Sequence, residues 1–469
     1  MTEDNAPAGG PLRLVVVGGG FTGVVFVINA IRATLRPLDI VVVEPLAELG
    51  RGVAYGTDDP AHRINVPSDR MALFKDDGGE ATRWFFEHGF LPDADSDDGQ
   101  GQFYVPRQAY GAFVSDVLHR TVGSAKGRAR LRRLRTSVTD IKRSGDGWLA
   151  STRDGDRIEA DFVALCFGHA APASPCPIGV EVRRSPKFVP DPWAAQALSK
   201  IGSSDSTLII GTGLTMADVV MSLRATGREG PVTAISRRGL APRAHGKFLS
   251  DIDLFAGAPP PKTALGLLRL MRKRIREGDA SLGWQPFIDS LRARLPIVWS
   301  DLPVREKRRV LRRLLPFWEV HRFRIAPQVS AALAQSRQAG RLSIEKAGLN
   351  GLEFRQGKFA AALRRPGGRA EEAFFDAVVM CTGPNKDIGT NPLVASLLAD
   401  GAARLDEAGL GLAVDSASRV VDARNQPWPN LVALGPMTRG SFGEMTGAPD
   451  IAAHIERIAP DLFRETPTI

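Results

Sequence analysis

The chain has 469 residues, of which 43% are hydrophobic and 24% are charged, a balance that excludes intrinsic disorder for most of its length. This length predicts about two to four domains. Three cysteines without CxxC or zinc-ligand spacing exclude a disulfide framework and predict neither a redox dithiol nor a metal site. The polar N-terminus predicts no export signal, and no apolar run reaches the ~20 residues of a membrane span, so we expect a cytoplasmic protein.

The first predicted elements form a dinucleotide-binding unit. A strand over residues 12–17 leads into a glycine-rich turn, a helix follows over residues 24–36, and a second strand over residues 39–43 ends at Glu44. In the turn, the first glycine permits a tight bend, the second lets backbone amides approach a pyrophosphate, and the third lets the helix pack on the strand. The acid after the second strand is placed to accept hydrogen bonds from a ribose. The residues predicted to bind here are Gly18, Gly20, Phe21, Thr22, Gly23 and Glu44.

A second unit of the same kind follows, after short strands over residues 130–165. It consists of a strand over residues 207–210, a turn that lacks the third glycine, a helix to about residue 225 and a strand over residues 232–235. This last strand ends at two arginines, which can bind the 2′-phosphate that an acid would repel. The pattern favours NADPH over NADH, with solvation of the strand end as the alternative. The residues predicted to bind here are Gly211, Gly213, Leu214, Arg237 and Arg238.

The net charge of +9 belongs to one segment. Between residues 261 and 325, 16 lysines and arginines face 6 acidic residues, which leaves about −1 for the rest of the chain. Apolar residues recur at helical spacing over residues 264–275 and 310–315, so the segment is predicted to be a basic helical insertion. Its surface is interpreted as a solvated face that attracts phosphates and anionic substrate, with polyanion binding as the alternative.

The insertion also holds the candidate catalytic residues. His321, Arg322 and Arg324 lie in a short aromatic and basic stretch and are predicted to bind an anionic or polar substrate. A structural histidine is the alternative for His321, as it is for His245 in the loop after the second unit.

Two dinucleotide sites in one chain indicate a resident flavin in one and hydride delivery from the other. Strands that end at Gly383 and Gly435 are predicted to return the chain to these cofactors. The expected fold is α/β, with two Rossmann-type dinucleotide-binding domains, a discontinuous FAD domain and a helical insertion. The predicted boundaries are 11–195 for the first part of the FAD domain, 200–250 for the NAD(P)H domain, 255–345 for the insertion near the active site, and 346–460 for the return to both domains.

Six stretches carry a family pattern: residues 17–23, 50–57, 65–67 with Met71, 211–216, 318 with 321–322, and 433–440. On these stretches the sequence resembles bacterial two-dinucleotide-binding flavoproteins, the group that includes flavin-dependent urate hydroxylases and aspartate N-monooxygenases. The resemblance extends over residues 13–455. It departs from broader two-site flavoproteins at Pro436, where those proteins commonly have an aspartate that contacts the flavin's ribityl chain. Here the ribityl contact would come from the backbone or from another side chain. The last helix, from about residue 449, would direct its positive end at the flavin.

The resemblance implies further cofactor contacts. Arg51, Gly52, Asn65 and Met71 would lie beside the flavin, and Arg107 would face its phosphates. Core packing is the alternative for Met71. An ordinary surface ion pair is the alternative for Arg107.

The implied activity is that of an FAD-dependent monooxygenase. NADPH, or alternatively NADH, would reduce the flavin, and the reduced flavin would activate O2 to hydroxylate a small nitrogen-containing substrate. Urate-like hydroxylation is favoured, and amino-acid N-hydroxylation comes next. An NAD(P)H dehydrogenase or oxidase and a nucleotide-sensing or polyanion-binding flavoprotein are further alternatives. The expected partners are the substrate and O2, with neither a membrane nor nucleic acid, and a homo-oligomer stays open.

Overall fold

The computed structural model describes residues 10–90, 96–99, 101–168, 172–246, 252–278, 283–385 and 387–464. Its strands form two mainly parallel sheets and two small antiparallel sheets. The strands are β1 (Leu12–Val17), β2 (Leu38–Val43), β3 (Ala129–Leu134), β4 (Val138–Ser144), β5 (Gly147–Thr152), β6 (Arg157–Ala160), β7 (Phe162–Leu165), β8 (Phe188–Val189), β9 (Thr207–Ile210), β10 (Val232–Ser236), β11 (Leu342–Lys346), β12 (Gly348–Arg355), β13 (Lys358–Arg364), β14 (Ala370–Phe375), β15 (Ala377–Met380), β16 (Arg419–Val421) and β17 (Pro427–Ala433).

The helices lie between these strands and in one long stretch after β10. They are α1 (Phe21–Ala33), α2 (Gly52–Tyr55), α3 (Glu80–Glu87), α4 (Arg107–Ser124), α5 (Val180–Arg184), α6 (Leu214–Ala225), α7 (Ala264–Glu277), α8 (Gln285–Ala293), α9 (Leu295–Asp301), α10 (Val304–Arg313), α11 (Leu315–Arg322), α12 (Pro327–Gln338), α13 (Pro392–Ala399), α14 (Arg439–Phe442) and α15 (Ala448–Leu462). None of the described helices is long and apolar enough to cross a membrane.

The first sheet has the strand order β16-β17-β7-β1-β2-β3, parallel except for the pairing of β16 with β17. Its central strands are buried runs of branched apolar residues, as expected for strands covered on both faces. Val17 pairs with both Val43 and Leu165, so β1, β2 and β7 end at the same edge. The loops that carry the predicted binding residues leave the sheet at this edge.

The second sheet repeats this plan with the order β11-β10-β9-β15-β8, all parallel. In both domains a first strand, a helix and two further strands are followed by a three-stranded antiparallel sheet and then by a strand that returns beside the first. The antiparallel sheets are β4-β5-β6 in the first domain and β12-β13-β14 in the second. Because β16 and β17 rejoin the first sheet after the second is complete, the predicted α/β fold with two Rossmann-type domains and a discontinuous first domain is confirmed.

Several predicted element and domain limits differ from the structure. Helix α1 begins at Phe21, three residues earlier than predicted, because the chain is already helical after Gly20. The strand predicted over residues 375–380 is β15, which begins only at Ala377, because β14 ends at Phe375. Asp376 lies between them, and its carboxylate accepts hydrogen bonds from the backbone and hydroxyl of Ser206. Strands β8 and β11 belong to the second sheet although they lie outside the 200–250 range predicted for that domain.

Helices α7 to α11 form the helical insertion, as its periodicity predicts. Helices α7, α8 and α9 contribute to a small core that contains Leu254, Phe255, Phe287 and Val298. Helix α12 instead packs on α6 and leads directly into β11, so it belongs to the second domain. The 255–345 range predicted for the insertion therefore extends too far at its carboxyl end.

The first glycine of each turn allows a return strand to pass directly beside it. Gly18 and Gly211 have φ values of +99° and +116°, which L side chains rarely adopt. A Cβ atom at Gly18 would lie 2.7 Å from the carbonyl oxygen of Cys166, and one at Gly211 would lie 2.0 Å from that of Cys381. The same backbone constraint thus recurs in both domains, at the ends of β7 and β15.

We expect Gly211→Ala to lower the free energy of unfolding by about 3–5 kcal/mol, because it combines an unfavourable φ with a backbone clash. Gly213→Ala is the matched control, since a Cβ there meets no atom within 4 Å and its φ of −88° is ordinary. The control should lose at most about 1 kcal/mol, the usual cost of alanine at a helix N-cap. Urea unfolding of both variants measures the difference, and equal losses would contradict the close approach at Gly211.

Candidate functional site

A cavity of about 1900 Å³ lies between the two domains and the helical insertion. Its wall includes the carboxyl ends of β1, β2, β7 and β15 and the amino ends of α1, α6 and α15. Twelve of the residues predicted to bind cofactor line it. These are Gly18, Gly20, Phe21, Thr22, Glu44, Arg51, Gly52, Asn65, Met71, Arg107, Leu214 and Gly383.

One end of the cavity has the features of a flavin dinucleotide site. Helix α1 starts at Gly20 in extended conformation, without a cap from any side chain of the described residues and without an acid in its first turn. Its amino end is therefore available to an anion such as a pyrophosphate. The buried Glu44 carboxylate accepts hydrogen bonds from the Gly19 N–H at 2.7 Å and the Leu46 N–H at 2.9 Å, and it borders the cavity with lone pairs left for a ribose. These residues fit FAD.

The second nucleotide loop opens on the same cavity. Helix α6 starts at Gly213 in nearly the same extended conformation as Gly20, again without a cap from the described side chains. Leu214, Gly383 and Pro384 line the cavity here. Gly211 and Gly23 do not line it, since their role is to let backbone segments pass closely. The third glycine that the second turn lacks is replaced by Met216, which is fully buried.

The two predicted 2′-phosphate ligands lie at the end of β10. Arg237 and Arg238 are both exposed, and the guanidinium of Arg238 lies over the ring of Phe317 at 5.2 Å from its centroid. Neither arginine is among the described residues that line the cavity. Their part in NADPH binding stays a prediction.

Arg107 forms a buried ion pair that neither of its predicted roles includes. Its guanidinium donates to both carboxylate oxygens of Asp218, at 2.9 and 3.2 Å, and its Nε donates to the Arg63 carbonyl at 2.9 Å. Both side chains of the ion pair are less than a tenth exposed, so it is not a surface pair. Since Arg107 begins α4 in the first domain and Asp218 lies on α6 in the second, Arg107 joins the two domains. It also lines the cavity, and its part in phosphate binding stays a prediction.

Neighbouring polar groups extend this interdomain contact. The ring of His62 hydrogen-bonds the Thr57 hydroxyl at 2.8 Å and the Ser222 hydroxyl of α6 at 2.9 Å. Burial lowers the pKa of His62, and Asp218 opposes that shift. Burial raises the pKa of the Asp218 carboxyl, while Arg107 opposes the rise. A buried polar network of this kind fixes the geometry of its members when all are hydrogen-bonded.

Asn65 and Met71 lie at the cavity wall, and the backbone carbonyl of each accepts a hydrogen bond. The Asn65 carbonyl accepts a hydrogen bond from His245 Nε2 at 2.7 Å, and the Met71 carbonyl accepts one from the Tyr110 hydroxyl at 2.9 Å. Met71 is 3% exposed and belongs to the main core, so its predicted alternative of core packing applies alongside its place at the cavity. Burial lowers the pKa of His245 to about 4, so it is neutral at pH 7.

Of the three predicted catalytic residues, His321 is not brought to the cavity. Its Nδ1 donates to the Phe317 carbonyl at 2.6 Å, one helical turn earlier, and its ring packs edge-on against Trp284. Arg322 and Arg324 do line the cavity. The guanidinium of Arg324 makes a two-pronged pair with Asp289 at 2.9 and 3.0 Å. The structural alternative for His321 therefore fits better than the catalytic one.

Arg322 belongs to an ion-pair cluster at the amino end of α15. It pairs with Asp450 at 2.8 Å and Glu444 at 3.2 Å, and Arg292 of α8 donates to both oxygens of Asp450. Two arginines thus face two carboxylates beside the amino end of α15, a helix predicted to point at the flavin. These contacts tie the helical insertion to the last helix of the first domain, so Arg322 acts as a link as well as a wall residue.

Sequence reasoning missed Asp218, Arg292 and Asp450. Asp218 lies 111 residues from Arg107, and Asp450 lies 158 from Arg292. No motif or helical spacing connects residues so far apart. Pro436, which stands where broader two-site flavoproteins commonly have an aspartate, lines the cavity. Asp415, from another part of the chain, lines it as well.

Comparisons with known proteins agree with this architecture. Residues 15–170 match the model of an FAD-NAD(P)-binding family. A comparison with curated proteins found no match.

Three solved structures share the fold of almost the whole chain. An ornithine N-hydroxylase from Kutzneria sp. 744 is 15% identical with a TM-score of 0.64, over 96% of this chain and 99% of that chain. A cadaverine monooxygenase of desferrioxamine biosynthesis from Erwinia amylovora is 13% identical with a TM-score of 0.62, over 96% and 93%. A bacillithiol disulfide reductase from Bacillus cereus is 13% identical with a TM-score of 0.53, over 97% and 99%. At these identities the likeness shows the fold alone, and the fold hosts more than one chemistry.

His454, which also lines the cavity, makes stability depend on pH. Its Nδ1 accepts from Arg457 at 3.1 Å and its Nε2 donates to the Ser418 hydroxyl at 2.7 Å, so the neutral ring is the form that fits. Burial, with Arg457 second, lowers its pKa to about 4. A pKa below the unfolded value of about 6.5 gives stability that is present above pH 6.5 and is lost as the pH falls towards 4.

When the pH is lowered from 7 to 5, we therefore expect the unfolding free energy of the wild type to fall by about 2 kcal/mol more than that of His454→Gln. Urea unfolding at the two pH values measures this. His119→Gln, at an exposed position on α4, is the control and should follow the wild type. If His454→Gln loses as much as the wild type over this interval, the neutral buried ring does not set the pH dependence.

Proposed function

We propose that the protein is an FAD-dependent monooxygenase that uses NADPH and O2 to hydroxylate the nitrogen of a small aliphatic amine. The observation that carries the proposal is that one cavity joins the amino ends of α1 and α6, neither of which is capped by a described side chain. Such an arrangement suits two dinucleotides whose reactive rings must meet. The structural likeness over 96% of the chain to an ornithine N-hydroxylase and to a cadaverine monooxygenase supports the reaction class.

The protein's own groups hold and orient the cofactors in this proposal. The amino end of α1 and Glu44 would bind the pyrophosphate and ribose of FAD, and the amino end of α6 would bind the pyrophosphate of NADPH. Bound FAD would supply hydride acceptance and oxygen activation, which side chains lack. The buried Arg107–Asp218 pair would keep the two dinucleotide loops at a fixed separation.

Amine N-hydroxylation replaces urate-like hydroxylation as the favoured reaction. The sequence resemblance ranked urate first, but the fold neighbours include enzymes for ornithine and cadaverine, both of which present a primary amine on an aliphatic chain. These findings support the alternative that the sequence placed second.

Disulfide reduction, the chemistry of one fold neighbour, does not fit the cysteines. Cys166, Cys176 and Cys381 all lie within the described ranges, and all are buried free thiols. Burial raises the pKa of Cys166 and of Cys381, which disfavours the thiolate that disulfide exchange requires. An NAD(P)H oxidase remains the second candidate, because it needs the same two cofactor sites without an organic substrate.

The test is NADPH oxidation and O2 consumption by FAD-loaded protein with ornithine, lysine, cadaverine and urate offered separately in ¹⁸O2. We expect one of the three amines to stimulate NADPH oxidation and to carry the label as an N-hydroxyl group, read by mass spectrometry. Label in a urate product alone would contradict amine hydroxylation and restore the first-ranked reaction. NADPH oxidation without label in any product would identify an oxidase.

Replacing both arginines after β10 tests the choice of nicotinamide cofactor. Arg237→Ala with Arg238→Ala should raise the KM for NADPH by about 10- to 100-fold, because charge-assisted hydrogen bonds to a phosphate are lost, and should change the KM for NADH by less than about twofold. The control is Arg269→Ala with Arg272→Ala, two exposed arginines of α7 that remove the same charge. Equal losses for both nucleotides, or for both double variants, would refute recognition of the 2′-phosphate.

A further inference from the structure

We propose that Phe317 of the helical insertion is a positioning residue for Arg238 and thereby contributes to the distinction between NADPH and NADH. The inference rests on the proposed use of NADPH by this protein. It adds a residue of the insertion to a site that the Rossmann-type sequence pattern assigns to β10 alone. The ligand chemistry concerned is a 2′-phosphorylated adenosine.

The contact itself joins two different parts of the chain. Arg238 follows β10 in the second domain, and Phe317 lies on α11 in the insertion. The guanidinium carbon lies 5.2 Å from the ring centroid, within the range of a cation–π contact. Phe317 remains 45% exposed and Arg238 is exposed, so both side chains stay accessible to solvent.

Stacking matters here because a free arginine on a surface has many rotamers. Holding a guanidinium against a ring restricts its rotamers and removes part of the rotamer entropy that phosphate binding would otherwise cost. The N–H groups of a guanidinium lie in its own plane, where they can form paired hydrogen bonds with a phosphate. Phe317 would therefore act on the phosphate only through Arg238.

The ring is also held in place by the backbone around it. The Arg243 N–H donates to the Val320 carbonyl at 3.3 Å, and the Ile325 N–H donates to the Arg243 carbonyl at 2.9 Å. These bonds join the loop after β10 to α11 and the residues that follow it. His321, which the sequence marked as catalytic, donates from Nδ1 to the carbonyl of Phe317 itself. The insertion thus presents Phe317 on a segment anchored to the loop that carries Arg238.

The experiment measures binding of 2′,5′-ADP and of 5′-AMP to the FAD-saturated full-length protein by isothermal titration calorimetry. FAD saturation keeps both probes out of the flavin site. We expect Phe317→Ala to weaken 2′,5′-ADP by about two- to fivefold, as the loss of an exposed cation–π contact implies, and to leave 5′-AMP unchanged. Phe317→Tyr should retain wild-type affinity, because it keeps the ring. Phe374→Ala, at a 52% exposed phenylalanine on β14, is the matched control and should change neither affinity.

A double-mutant cycle separates positioning from a direct contact. In an Arg238→Ala background, Phe317→Ala should cause no further loss of 2′,5′-ADP affinity, because the ring has no guanidinium left to hold. Additive losses, an equal loss for 5′-AMP, or no effect of Phe317→Ala in the wild-type background would each overturn the inference while leaving NADPH use intact. A wild-type protein that binds 2′,5′-ADP no more tightly than 5′-AMP would instead refute the NADPH preference and this inference together.

Discussion

The buried pair of Arg107 with Asp218 is the interaction on which the shared cavity depends. Two charges that are each less than a tenth exposed are tolerated only because they neutralise each other, and breaking such a pair typically costs about 3–5 kcal/mol. One partner begins a helix of the first domain, and the other lies on α6 of the second. Together with the apolar core that spans both domains, the pair helps to hold the two nucleotide loops on one cavity.

The helical insertion closes the cavity through ion pairs. Its basic residues fall into two groups, those that form these pairs and those that extend into solvent. Arg292, Arg322 and Arg324 point inward and are each paired with an acid. The arginines of α7 and α10 that extend into solvent carry most of the excess charge. Arg322 and Arg324 thus link elements of the structure, and their part in substrate binding stays a prediction. The excess positive charge at the surface remains available to attract phosphate-bearing cofactors over a distance of about one Debye length.

The two domains share one backbone constraint at the first glycine of each nucleotide loop. Gly18 and Gly211 each let a return strand pass at a distance that no side chain permits, and Gly20 and Gly213 each begin a helix without a side-chain cap among the described residues. Around this shared frame the side chains differ, with an acid after β2 and two arginines after β10. The difference in charge is what would assign FAD to one loop and NADPH to the other.

The sequence by itself determined the structural features that depend on residues close together in the chain. Glycine spacing, apolar strands and the helical period of the insertion predicted both nucleotide units and the α/β fold, because these patterns act over a few residues. Only the tertiary structure decided the partner of Arg107, the exclusion of His321 from the cavity and the contact of Arg238 with Phe317. Each of these depends on side chains that are distant in sequence and brought together by packing. Charge and hydrogen-bond partners across such distances leave no periodic signal, so a sequence can name the candidate groups but not assign their partners.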